Sequence, residues 1–421
     1  MRLRGTTIGA LAIALFHPAS APGQMVDIPR PRTLTVGTPA GGARTERVDC
    51  ARTGRARTAL PSSGLHTEWR TPLGTLVEHG PLVDARSNIY VVGTRGDVIA
   101  LGRDGAERWR LATGAAQPGP ATLLADDTLA FVDASGEAIA VRDAAVKWRV
   151  RFGRSAVTHP APLPLDDGGV VVATTHDLTV LDLTVLDAEG HERARTTLRE
   201  PTTLPLVAAR GQVIAVTTSG AVWSWAPGSA EPMRIASFGS PVDGGAALAD
   251  DHTLVAVTAG QIHLTAVDLL LRATTTRAVV STGMLFGPPA ARQSTTYLVL
   301  VTPTSELAIA IDASGVERFR VLLASHPPPV GADGGPSMPP IAPHTAPLVD
   351  RAGALAFATA EGSIGVTNGA VVELLGEKCE PPVGGASRGT PPVAGLAPLE
   401  DGALVAVCHA GAVVAIQGRA R

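Results

Sequence analysis

Aromatic residues make up only 3% of this 421-residue chain, so Ala, Val and Leu must fill any core it builds. Lysine occurs twice, at Lys147 and Lys378, and the net charge is −3. A balance of that kind builds neither a basic face for nucleic acid nor a polybasic membrane patch. The three cysteines, Cys50, Cys379 and Cys408, are never neighbours. No Gly-rich phosphate loop, His-Glu-x-x-His or Gly-x-Ser-x-Gly elbow occurs. No segment sustains apolar spacing of three and four residues, which excludes helical bundles and helical solenoids. What the chain does have is 45% hydrophobic content, cut into short apolar runs by 46 glycines and 34 prolines.

The first residues follow the pattern of an export signal. Arg2 and Arg4 precede the apolar run Ile8–Phe16, and Ala19-Ser20-Ala21 offers an A-x-A cleavage site. The run is far shorter than the about 20 residues a membrane-spanning helix needs. Residues 1–21 are therefore expected to be a signal peptide, with no transmembrane segment in the mature chain. Residues 22–66, rich in Pro, Gly, Arg and Thr without periodicity, are expected to be a tail or linker. The folded domain is expected over 67–421.

From there the chain repeats. Ile89-Tyr-Val-Val, Thr128-Leu-Ala-Phe, Val170-Val-Val-Ala, Val213-Ile-Ala-Val, Thr253-Leu-Val-Ala, Thr296-Tyr-Leu-Val, Ala354-Leu-Ala-Phe and Ala403-Leu-Val-Ala align as equivalent strands about 40 residues apart. Each is followed by a turn and a second apolar run. A unit of that length holding four short strands is a propeller blade. The predicted fold is all-β, an eight-bladed propeller of four-stranded antiparallel blades, or seven-bladed if unit four or five does not form. Trp69-Arg70, Trp109-Arg110 and Trp148-Arg149 stand 40 and 39 residues apart, and Phe319-Arg320 ends the sixth unit. Trp69 thus occupies a fourth-strand position before the first full unit, so Glu68–Pro72 is expected to complete the eighth blade and close the ring. Acidic pairs (Asp126-Asp127, Asp166-Asp167, Asp250-Asp251, Glu400-Asp401) recur between first and second strands and read as turn caps. A tandem doublet, Leu178–Asp182 repeated as Leu183–Asp187, calls for a bulge near Asp182 if its two copies are to present the same faces.

The segments Ala100–Trp109 and Ala310–Phe319 resemble the Ala-x-Asp-x-x-(Thr)-Gly-x-x-x-Trp signature of PQQ-like (quinoprotein-type) propeller repeats, and Ala140–Trp148 matches with one residue deleted. The resemblance implies a blade-docking role for Trp69, Trp109, Trp148 and Phe319. The family includes quinoprotein alcohol dehydrogenases and the BamB-type lipoproteins of outer-membrane assembly. The dehydrogenases carry a vicinal cysteine pair, a calcium site and a catalytic Asp. This chain has no vicinal pair and no segment matching the other two, so it resembles the non-enzymatic, BamB-like branch.

Blade geometry brings strand-one starts, second-to-third turns and fourth-strand exits to one face. That placement makes Cys379 and Cys408 a plausible disulfide, leaving Cys50 over. It also gathers a candidate binding face: Glu78, His79, Arg95, Asp97, Glu137, His159, His176, Asp177, His344, Glu361 and His409. The Pro-rich insertions His326–His344 and Glu380–Pro392 would emerge beside them. Solvated turn residues account for most of this set, and neither a metal nor a cofactor is assigned. The expected function is an exported scaffold, monomeric, in the periplasm, at the outer membrane surface or outside a bacterial cell, binding a protein or peptide partner. The alternative is a degenerate quinoprotein-type oxidoreductase or other channel-mouth enzyme.

Overall fold

The structure, a computed structural model, describes residues 34–37, 41–152, 159–176, 180–200, 202, 204–259, 263–279, 284–285, 287–302, 304–326, 345–380 and 391–419. The expected signal segment 1–21 lies outside them. The described chain is all-β and forms eight antiparallel sheets, one per blade. Blade 1 holds Leu82–Val83, Ile89–Val92, Asp97–Leu101 and Glu107–Ala112 in order from the channel outward, and the later blades follow the same plan. Blade 6 splits its innermost strand into Met284–Leu285 and Ala290–Arg292, both paired with Thr295–Val301. In blade 8, Ser63–Pro72 pairs with Ala412–Arg419, beginning five residues before the expected Glu68. All eight aligned apolar runs are second strands of their blades.

Burial follows radius. Second strands such as Ile89–Val92 and Leu129–Val132 are buried at every residue, because blades stack on both of their faces. That is why they read as continuous apolar runs rather than alternating ones. Outer strands such as Glu107–Ala112 alternate exposed and half-buried. The tandem doublet shows the same two-sided burial. Val180–Leu186 is one continuous strand, unbroken at Asp182, with a register shift only between Val185 and Leu186. Leu181 and Leu186 point to opposite faces and both are buried, so the expected bulge near Asp182 is not needed.

Aromatics of the outer strands dock onto the next blade. The Trp69 indole Nε1 donates to the Arg103 carbonyl (3.0 Å), and its ring lies against Gly105. Trp148 donates to the Ala188 carbonyl (3.1 Å) and covers Gly190, and Phe319 covers Gly369. A Cβ on Gly105, Gly190 or Gly369 would stand 2.5, 2.8 or 2.5 Å from the ring. Each glycine also has a positive φ. The repeated Gly of one blade is thus the seat for the repeated aromatic of the blade before it. Trp109 is the exception: the equivalent turn of blade 2 is Asp143-Ala144, one residue shorter. Trp109 packs on Tyr90 (centroids 6.1 Å apart), as Phe319 does on Tyr297 (6.2 Å), and joins the blade 1–2 core without a glycine seat.

Residues 34–37 and 41–62 are not the expected linker; they belong to the same compact unit as the ring. They run along the channel at the face of the first-to-second-strand turns. Val36 bridges Leu165, and Gly37 donates to the Pro164 carbonyl, in blade 3. The carbonyls of Ala43, Arg44, Cys50, Ala51, Thr53 and Gly54 then accept from Val83, Leu123, Ala208, Leu248, Ala291 and Val349, which lie in blades 1, 2, 4, 5, 6 and 7. Thr58 reaches the Leu399 carbonyl in blade 8 (3.1 Å). After this first contact with blade 3, the segment from Ala43 onward meets the inner edges of blades 1, 2, 4, 5, 6, 7 and 8 in that order before it leaves to form the outer strand of blade 8. Ala43, Val48, Ala56 and Leu60 join the core cluster of blades 6, 7, 8 and 1. Three of the acidic pairs also hold this plug. Asp127 pairs with Arg44 (2.8 Å), Asp166 accepts from the Thr35 hydroxyl (2.7 Å), and Glu400 accepts from the Gly42 N–H (2.7 Å).

Trp69→Ala should lower unfolding stability by about 3 kcal/mol, the lower end for a Trp deletion because the side chain is half-buried. Gly105→Ala, which drives a methyl into the same ring, should also lower the denaturation midpoint. Gly376→Ala, where a Cβ meets nothing within 4 Å, should leave it unchanged.

Candidate functional site

The face opposite the plug is built by second-to-third-strand turns lying against the lead-ins to the first strands. Thr94 N–H donates to the Leu76 carbonyl (2.9 Å), Ala134 to Ala116 (2.8 Å), Val77 to His409 (3.1 Å) and His409 to Pro392 (2.8 Å). These bonds tie each turn to the segment entering its own or the next blade. Glu78 and Arg95 are exposed on this face, His79 and Asp97 are half-buried, and His159 and His409 are buried. His176 ends the second strand of blade 3. Asp177 and His344 lie outside the described residues, as do 327–344 and 381–390 of the two insertions.

Two of the charged members, Glu137 and Glu361, are paired locally. Glu137 meets Arg149 (2.7 Å) and Arg151 (4.0 Å) within blade 2. Its turn is capped by Asp133, which accepts from the N–H groups of Ser135, Glu137 and Ala116. Those bonds and the Ser135 hydroxyl outweigh burial and hold the Asp133 carboxyl below its ordinary range. Glu361 meets Lys378 (3.0 Å).

Glu361 also opens the longest polar chain of this face, which sequence reasoning missed. His326, the residue after the outer strand of blade 6, places Nδ1 3.5 Å from Glu361 and Nε2 2.7 Å from Glu306. Glu306 lies in the third strand of blade 6 and is fully buried, and both of its oxygens accept from Ala360 N–H (3.1 Å) in the turn of blade 7. Burial pushes the Glu306 carboxyl up, against the pull of the Ala360 N–H and of His326. Lys378 pulls Glu361 the other way. The signal was present in Ser305-Glu306, a carboxylate where the other blades place small or apolar residues deeper in the strand.

Next to Lys378, Cys379 is bonded to Cys408 (S–S 1.97 Å, Cα–Cα 5.2 Å), joining the outer strand of blade 7 to the second strand of blade 8. Cys50 lies in the plug, buried and outside the disulfide. Toward the channel, a small recess has Glu46 and Arg47 of the plug as its floor, with Gly80, Leu348 and Leu396 of blades 1, 7 and 8 among its walls. Among the described residues, Asp250, Asp251 and His252 come close enough together to hold a metal ion. They lie on the plug face, where Asp250 already caps its turn through the N–H groups of His252 and Thr253.

Two outcomes are expected. Reducing Cys379–Cys408, or replacing both residues by Ser, should lower stability by about 3–4 kcal/mol on the chain-entropy model for a closed loop of this length, read from denaturant midpoints. Glu306 binds its proton more tightly in the fold than in the unfolded chain. Its contribution is therefore full below the ordinary value of 4.5 and is lost as pH rises through the folded value. Glu306→Gln should accordingly show a flatter decline in stability than the parent above pH 4.5, and equal slopes would show that Glu306 does not titrate there.

A family model described as outer membrane protein assembly factor BamB matches residues 63–283. No curated protein matches the sequence. Among solved structures, BamB from Moraxella catarrhalis superposes over 84% of this chain and 99% of its own, at 15% identity and a TM-score of 0.58. Quinohemoprotein alcohol dehydrogenase from Comamonas testosteroni covers 90% of this chain and 81% of its own at 12% identity and the same TM-score. The computationally designed Ika8 protein covers 86% and 99%, at 12% identity and a TM-score of 0.58. These likenesses carry the propeller fold, and the match over residues 63–283 carries the kinship: the chain belongs to the PQQ-like propeller family of outer membrane protein assembly factor BamB.

Proposed function

We propose that this propeller is an exported, non-catalytic scaffold that binds a protein or extended peptide on the face opposite its plug. The observation that carries the reading is the inequivalence of the two faces. The plug covers the inner turns of one face with backbone and arginine contacts. Among the described residues, the other face bears features found in no other repeat: the Cys379–Cys408 bridge, the Glu306–His326–Glu361–Lys378 chain, and the points where both Pro-rich insertions leave the ring. Repeated positions build blades, so specificity must come from unrepeated ones. A disulfide suits an oxidising compartment, which fits the signal-like N-terminus and an envelope location. The family match to an outer membrane assembly factor supports a protein partner. Glu78, Arg95, Asp97, His79 and His409 would contribute polar contacts, and the scaffold would act as a monomer.

The second reading, a degenerate quinoprotein-type oxidoreductase, draws on the likeness to quinohemoprotein alcohol dehydrogenase. Against it stands the cysteine pair, which is 29 residues apart rather than vicinal. Photo-cross-linkers placed at Arg95 or Glu361 in the native envelope should yield discrete adducts, whereas linkers at Asp143 or Glu189, on the plug side, should not. Adducts from the plug side alone would reject the assigned face. Turnover of an alcohol panel with added PQQ, Ca²⁺ and a dye acceptor would replace the scaffold reading by the enzymatic one.

A further inference from the structure

Exposed apolar side chains are spread unevenly around the ring. Among the described residues, eight large hydrophobic side chains are exposed, and seven of them belong to blades 4–7. Met233, Leu270, Leu271, Val316 and Val371 lie in or beside the third-to-fourth-strand turns, and Leu322 and Leu374 lie on the outer strands. Antiparallel strands bring these turns to the plug side of the disc. Where blade 6 has Val316, blades 1 and 3 have Ala106 and His191. Capped turns hold the tips out. Leu270 and Leu271 N–H both donate to Asp268 Oδ1 (2.8 Å each), and Val316 and Val371 N–H donate to Asp312 and Asn368 Oδ1 (3.0 Å each). The tips also form one run along the rim. Thr274 of blade 5 donates to the Ser237 carbonyl of blade 4 (2.6 Å), Gly315 of blade 6 lies on the Arg277 carbonyl of blade 5, and Gly369 of blade 7 lies on Phe319 of blade 6.

Charge divides the same side. The turns of blades 4–7 expose Arg210, Arg234, Arg272, Arg318 and Arg351, against the exposed acids Glu231, Asp251 and Glu317. Arg318 meets Asp312 (2.7 Å), Asp251 meets His252 (2.9 Å) and Glu317 meets Arg320 (2.7 Å). Blades 8 and 1–3 instead expose Asp104, Asp143, Asp166, Asp167, Glu189 and Asp401 there. Their Arg86, Arg142 and Arg193 are paired with acids of the same turns. One half of the plug side is thus acidic, and the other carries aliphatic tips interleaved with arginines.

We propose that the plug-side rim of blades 4–7 docks on an anionic lipid bilayer, with the Leu270–Leu271 turn as its leading contact. Equivalent turns of successive blades end at about the same height on a disc, so a flat surface meets them together. Aliphatic tips enter the boundary between headgroups and acyl chains, and the flanking guanidiniums meet lipid phosphates. Leu271, 77% exposed, reaches furthest into solvent of these side chains. Repulsion of the acidic half by the same phosphates tilts the disc, with blades 4–7 toward the lipid. The face opposite the plug stays open, so the docking does not rest on a partner there.

The test uses the full mature chain and vesicles of phosphatidylcholine with or without phosphatidylglycerol. Cosedimentation should require phosphatidylglycerol and fall with added salt. Leu270→Ser/Leu271→Ser should weaken binding about tenfold, through the loss of two side chains from the headgroup boundary. Arg234→Gln/Arg272→Gln should weaken it about fivefold for each charge removed and flatten the salt dependence. All four positions are exposed, so both variants should keep the parent's thermal midpoint. No cosedimentation with phosphatidylglycerol vesicles, or parent-like binding by both variants, overturns the proposal. So does a parent dimer in sedimentation velocity that the leucine variant dissolves, which would assign the rim to a second copy of the chain.

Discussion

Every blade of a propeller ends inward on an edge strand, whose unpaired N–H and C=O groups face the channel. Ring closure removes the lateral edges of the sheets but leaves these eight inner ones. In a wide channel water satisfies them. Here a single non-repetitive segment does so, and much of the structure depends on that pairing. Within the sixteen residues from Ala43 to Thr58 the plug hydrogen-bonds to seven of the eight blades, and Val36 and Gly37 reach the remaining one. The geometry imposes its own strain: Arg47, Val48 and Arg52 all adopt positive φ without being glycine. Conformations of that kind cost of order 1 kcal/mol or more each and persist only where surrounding contacts fix them. The contacts here are the inner-strand backbones and the arginine bonds to their carbonyls.

The outer circumference is held by a different device. Trp69, Trp148 and Phe319 each fill the space above a left-handed glycine in the following blade. The glycine is needed twice over, for its backbone angle and because a Cβ would enter the ring. One motif thus explains why Gly and an aromatic recur together in the repeats, although they meet across blades and not within one. Trp109 tests this from the other side. The shortened turn of blade 2 offers it no glycine, and it is left with the packing on Tyr90 that Phe319 also makes on Tyr297.

The legible part of the chain was the part that repeats. Second strands are buried on both faces, so their apolar runs stand out and place all eight blades. The Trp69 spacing located the closing strand, and blade topology alone brought Cys379 next to Cys408. The plug was illegible for a physical reason. Its interactions are made mostly by backbone carbonyls and by Arg, Thr and Gly, which leave no apolar period, so its composition is that of a solvated linker. The acidic pairs have the composition of turn caps, and Asp126, Asp167, Asp250 and Asp401 do cap turns. That Asp127, Asp166 and Glu400 also hold the plug depends on a segment more than 80 residues away in sequence from the nearest of them. Glu306 and His326 carry no motif to mark them: their pairing spans 20 residues within blade 6, and their contacts to Ala360 and Glu361 cross into blade 7.

The plug also bears on how the two faces differ. A propeller made only of repeats would offer two channel mouths, and a ligand could approach from either. With the plug in place, one mouth is lined by hydrogen bonds already made, so a partner binding there would have to displace them. The other mouth keeps its polar turns, with Glu46 and Arg47 as its floor. The disulfide and the buried Glu306 reinforce the same arc, tying blade 6 to blade 7 and blade 7 to blade 8 where the two insertions depart. A covalent bridge and a buried carboxylate thus cross two successive blade boundaries on the face where the unrepeated sequence departs, whereas the opposite face is held by the backbone pairing of the plug.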